Sequence, residues 1–129
     1  MPSTGLNGPY PLTHPEIRRV ASRTSPGAYA LGESRNGTFY INYVGRSDSD
    51  IAARLSQHVG AYSQFKFGYF GSPKAAFEKE CRLWHDFGGP SGNLDNKVQS
   101  ARPTGANWQC PVCNVFREAH RLLSGLSRF

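Results

Sequence analysis

Along residues 26–90 the apolar positions switch between the alternating spacing of strands and the three-or-four spacing of helices. From Ala28 to Glu33 and again from Thr38 to Val44, aromatic and β-branched residues predict strands. Ser34-Arg35-Asn36-Gly37 between them carries the Asn-Gly signal of a tight hairpin turn. Ser47, Asp48 and Asp50 can each accept from the first free amides of a helix beginning near Ile51, with Ile51, Leu55 and Val59 on its apolar face. Phe65 to Phe70 alternates aromatic with small or basic residues, which predicts a third strand ended by Gly71. Ser72 followed by Pro73 predicts a capped helix start, and Gly88-Gly89-Pro90 predicts its stop.

The flanks are less patterned. Residues 1–25 are rich in Pro, Gly, Ser and Thr with basic Arg18, Arg19 and Arg23, and read as an arm holding at most one short helical turn. After Pro90 comes loop to about Asn107, then Cys110-Pro-Val-Cys113, then a run in which Val115, Leu122 and Leu123 line one helical face. The expected organisation is an arm over 1–25, a core over 26–98, and a knuckle with a basic helix over 99–129.

With 129 residues the chain suits one domain, because a second core would lack material. Its formal charge of +6 favours polyanionic partners. No apolar run approaches the roughly 18 residues that span a bilayer, and the first residues lack the apolar stretch of a signal peptide. The expectation is an intracellular, cytoplasmic protein with no membrane partner. An odd count of 3 cysteines argues against a disulfide framework and for metal ligation.

Gly27-Ala28-Tyr29 on the first strand, Tyr43-Val44-Gly45 on the second, Arg54 and His58 on the following helix, Glu80 on the next and then Asn96 form an ordered set. In order and spacing over about residues 26–98 this set resembles the GIY-YIG nucleases, with alanine and valine in place of the middle isoleucines. Either tripeptide alone is a common coincidence; the ordered six are far more specific. The resemblance implies a small antiparallel three-stranded α/β sheet flanked by helices, here with a C-terminal zinc-stabilised segment added. It implies hydrolysis of DNA phosphodiester bonds, with Tyr29, Tyr43, Arg54, His58, Glu80 and Asn96 as the catalytic set and Mg²⁺ or Mn²⁺ on Glu80.

The chemistry supplies separate reasons for these residue types. Phosphodiester hydrolysis needs a divalent ion, a proton acceptor for water and a cation on the developing phosphorane. Mg²⁺ keeps several waters, so one carboxylate such as Glu80 can serve. Glu78 lies about 160° around the helix from Glu80 and cannot share its site. Arg54 has planar donors suited to two phosphate oxygens, and His58 four residues on would share its helix face. Tyr29 precedes His58 as candidate base in the family's mechanism; a phenol near pKa 10 needs help from a cation to act as one. Taken singly, each residue also has an ordinary role: sheet-packing tyrosines, a solvated helix face, a local ion pair for Glu80.

Cys81 and His85, one turn apart on the Glu80 helix, join Cys110 and Cys113 as a three-thiolate, one-imidazole set typical of closed zinc sites, with His120 as an alternative fourth ligand. Arg46, Lys66, Lys97 and Arg102 are candidate phosphate contacts, and Arg117, Arg121, Arg128 and Trp108 could extend that surface. DNA is the expected partner, single- or double-stranded, and a homodimer would be needed to cut both strands in one visit. Competing classes are a nucleic-acid-binding module on the same fold without cleavage and a zinc-stabilised interaction domain.

Overall fold

The computed structural model describes residues 4–87 and 94–95. Strand β1 (Asn7–Pro11), helix α1 (His14–Val20), the hairpin β2 (Gly27–Arg35) and β3 (Thr38–Ser47), helix α2 (Ile51–Ser56), strand β4 (Gln64–Tyr69) and helix α3 (Pro73–Asp86) follow in that order. The sheet is antiparallel and four-stranded, in the order β1-β4-β2-β3, so the fold is α/β with helices on both faces.

β2 is the central strand, and its first six residues are all buried. Its alternation divides the core. Tyr29 and Leu31 face Ile17, Ile51, Leu55, Phe65 and Phe67, the side covered by α1 and α2. Ala28 and Ala30 face Val44, Leu83, Trp84 and Leu94, the side covered by α3. Small residues on β2 leave room for the large Trp84 opposite them, as close packing requires. Asn36 and Gly37 both take positive φ, 53° and 79°, the geometry that the Asn-Gly turn was expected to supply.

Two expectations change, and the β2–β3 ladder adds an irregularity. The sheet has a fourth strand because residues 4–21 are not an arm: β1 pairs with β4, and Leu12, Ile17 and Ala21 are buried in the α1–α2 core. Pro9 and Pro11 are tolerated because β1 is an edge strand, where missing N–H donors break no internal ladder. Thr13 caps α1 by accepting from Glu16 N, with Pro15 in the first turn. Helix α2 is also shorter than expected. It ends at Ser56, leaving His58 in the turn beyond, where its N–H donates to Leu55 O at 3.0 Å. Finally, β3 carries a bulge between its Tyr43 and Ile41 pairings, which puts Asn42 out of register. The freed Asn42 carbonyl accepts from Asp95 N, and Leu94 beside it is fully buried.

If residues 4–21 are core, Ile17→Ala should destabilise the protein by about 2–5 kcal/mol, as removal of buried methyl groups does. The urea midpoint should fall with little change in slope; an unchanged midpoint would mean that α1 contributes nothing to the packing.

Candidate active site

The two glycine–tyrosine triplets come together because Gly27 pairs with Ser47 and Tyr29 with Gly45 across the β2–β3 ladder. Both glycines are required for space. A Cβ at Gly45 would lie 2.5 Å from the ring and hydroxyl of Tyr29, and one at Gly27 would lie 2.6 Å from the Gly68 carbonyl. Tyr29 can therefore lie flat against β3 only because position 45 has no side chain.

Tyr29 is buried yet reaches the His58 Nε2 with its hydroxyl at 2.9 Å. The Tyr43 ring stacks on Tyr29 at 6.5 Å between centroids and stands 5.1 Å from His58. Tyr62 packs on Tyr43 at 6.1 Å, and its hydroxyl donates to Asp95 Oδ2 at 2.6 Å. Burial raises the Tyr29 pKa well above that of an ordinary phenol; Tyr43 adds to this, while Arg54 opposes it. Burial lowers the His58 pKa, and the Arg54 charge lowers it further. The phenol thus stays protonated and the imidazole neutral; with the imidazole proton on Nδ1, the Tyr29 hydroxyl donates to Nε2.

Beside edge strand β3 opens a pocket of about 370 Å³, lined by Tyr29, Tyr43, Arg54 and Glu80 together with Arg46 and Ser47 at the end of β3 and the β3–α2 loop residues Asp48 and Ser49. Four expected catalytic residues thus share one cavity, and the fifth, His58, is bonded to one of them. They arrive from separate elements: β2, β3, α2 and α3. Asp50 caps α2 through Ala52 N and Ala53 N, while Ser47 Oγ accepts from Ser49 N and Asp50 N, which shapes the loop at the pocket wall.

Arg46 was expected to meet phosphate. Here its Nε donates to Asp48 Oδ1 at 2.9 Å and its Nη1 to Glu80 Oε1 at 2.8 Å. Burial opposes its charge, but the hydrogen bonds to Asp48 and Glu80 prevail and raise its pKa. The residue that sequence reasoning had placed elsewhere is Asp48, weighed only as a helix cap; its part in the pocket depends on an arginine two residues back turning toward the same side. Tyr62 carried no sequence signal beyond its being aromatic.

Other expected sites stand apart or lie outside the described residues. Lys66 on β4 sits with its ammonium 5.5 Å from the Phe39 ring and does not line the pocket. Asn96, Lys97 and Arg102 lie outside the described residues, as do Cys110, Cys113, His120 and the basic C-terminal run. Cys81 is buried in α3 and His85, one turn later, meets the Trp84 ring edge-on at 5.0 Å. Among the described residues no three of His, Cys, Asp and Glu gather into a metal-holding group, and no helix is long and apolar enough to cross a membrane. No family model, curated protein or solved structure matches the chain.

The neutral His58 has a consequence for stability. Since the fold holds this imidazole below its ordinary pKa of 6.5, protons bind the unfolded chain more readily. The contribution should be intact above pH 6.5 and lost as pH falls from there through the folded value. Urea unfolding at about pH 7.5 and about pH 5 should show a loss of stability that shrinks in His58→Gln. Equal pH dependence in both proteins would remove His58 as its source.

Proposed function

We propose that the protein is a metal-dependent endonuclease that hydrolyses DNA phosphodiester bonds in the manner its resemblance to the GIY-YIG nucleases implies. The observation that carries this reading is the single pocket shared by Tyr29, Tyr43, Arg54 and Glu80, with His58 hydrogen-bonded to Tyr29 behind it. A structural role for each residue alone gives no reason for their convergence on one cavity.

Tyr29 stands between the pocket and His58. As an attacking water loses its proton to the Tyr29 oxygen, the phenol can pass its own proton to His58 Nε2, so no free phenolate has to form. This relay suits a tyrosine whose burial disfavours its anion and a histidine held neutral. Arg54, exposed on the pocket rim, would place guanidinium donors on the phosphate oxygens where charge develops. Tyr43, stacked on Tyr29, keeps that ring in line. Among the described residues, the pocket is lined by oxygen and guanidinium groups with neither a thiol nor an imidazole, a donor set suited to a hard ion. Mg²⁺ or Mn²⁺ held by Glu80 and water would offset charge on the phosphate and leaving oxygen.

For the C-terminal part, we propose a structural zinc bound by Cys81, His85, Cys110 and Cys113, with His120 as the alternative to His85. Cys81 and His85 lie one turn apart on α3, the spacing a shared ion needs, and a buried Cys81 suits a closed site. DNA is the proposed partner through the +6 charge, and a cytoplasmic setting with reduced thiols is the proposed location.

Glu80→Gln and Arg54→Ala should each lower the rate of DNA cleavage in Mg²⁺ or Mn²⁺ by about 10²–10³-fold. The exposed Arg54 can be lost with little change in melting temperature, whereas Glu80→Gln, which leaves Arg46 without the Glu80 carboxylate, should melt lower yet still fold. Cleavage at the parent rate by the Glu80 variant, in protein free of contaminating nuclease, would remove the proposed metal site on Glu80. Elemental analysis of the purified chain should find close to one zinc per molecule, and Cys110→Ser should release it and lower the melting temperature. A folded, zinc-free protein would show that the cysteines only pack.

A further inference from the structure

The Arg46 guanidinium joins two carboxylates on the wall of the pocket, and its position is set by three elements. Its Nε is held by Asp48 in the loop after β3 and its Nη1 by Glu80 on α3. The group lies 5.1 Å from the Phe77 ring centre, one helical turn before Glu80. The side chains of Arg46 and Glu80 are only 13% and 12% exposed, so each compensates the other where water does so poorly. Asp48 is 41% exposed and hence the less demanding partner.

We infer that Arg46 is a latch on Glu80: it occupies the carboxylate when the pocket is empty and gives it up when a phosphate group arrives to take the guanidinium. This rests on Glu80 being the ligand of the divalent ion. An ion bound to Glu80 Oε1 would lie close beside the guanidinium that now donates to the same oxygen, and two cations cannot share it at that range. Arg46 must therefore turn away before the ion binds well. A phosphodiester oxygen in the pocket is the acceptor best matched to its planar donors. Asp48 keeps Nε anchored meanwhile, so the guanidinium can leave Glu80 without leaving the pocket. Ion and substrate then favour each other's binding, as sites coupled through one group must. Arg46 is in these terms a positioning residue, since it acts on the ion through Glu80.

The test uses the whole chain and two readouts other than turnover. Mn²⁺ binding, followed by the electron paramagnetic resonance of the free ion without DNA, should tighten about 10-fold in Arg46→Gln, because losing one charge-assisted competitor is worth that much. Arg46→Lys keeps the charge but not the fork, and should tighten binding about threefold; it serves if the glutamine variant does not fold. Binding of a labelled DNA duplex in EDTA should strengthen about threefold in Glu80→Gln, and that gain should vanish when Arg46→Gln is added, as a double-mutant cycle resolves. Unchanged or weaker Mn²⁺ binding in both Arg46 variants overturns the latch. So does a DNA-binding gain that persists without Arg46. If Glu80→Gln leaves Mn²⁺ binding untouched, the metal reading of Glu80 fails and the latch with it; if it abolishes binding while the Arg46 variants do not tighten it, the latch alone fails.

Discussion

Everything in the pocket depends on how closely Tyr29 approaches the backbone of β3 at Gly45. The contact is steric: no side chain fits at position 45 while the phenol lies where it does. It holds the Tyr29 ring inside the α1–α2 core, sends its hydroxyl to His58, and leaves the adjacent β3 edge open as a cavity. One tyrosine is thus both a core residue and a wall of the site. The fold and the proposed chemistry cannot be varied independently there, since a shift that loosened the packing would also move the hydroxyl.

The electrostatics divide along the same line. On the core side the titratable groups are kept uncharged: burial holds the phenol protonated and the imidazole neutral, so the hydrogen-bonded pair carries no charge at rest. On the pocket side the charges are retained and matched, Arg46 with Glu80 and Asp48, while Arg54 stands exposed and reaches both tyrosines through its field. Arg46 and Glu80 are largely withdrawn from water, and their pairing compensates the cost of burying each charge while keeping both on the pocket wall.

Much of this was legible in the chain. Asn36-Gly37 dictated the hairpin because only residues tolerant of positive φ close so tight a turn. Ser72-Pro73 dictated where α3 begins, and the Ser72 side chain does accept from Ala75 N. The glycine–tyrosine triplets were visible as candidates, and the reason for their glycines became clear only from the facing strand. Thr13-x-x-Glu16 with Pro15 is a helix-start signal of the same local kind, but the few scattered apolar residues around it read as an arm. Their burial depends on β4 and α2, which lie far along the chain and provide the surface that Leu12 and Ile17 cover.

What the sequence by itself determined was therefore whatever rests on near neighbours: turn chemistry, caps, the alternation of β2, and the order of the candidate residues. Tertiary structure alone decided the fourth strand, the early end of α2, the out-of-register Asn42 and the partner of Arg46. An arginine carries no mark of whether it will meet a phosphate or a carboxylate. Glu80 lies 34 residues away in sequence and reaches Arg46 only because α3 packs across β2 and β3. The physical reason is range: hydrogen bonds that cap and turn act within a few residues, whereas burial and charge pairing act through space, and space is defined only once the chain has folded.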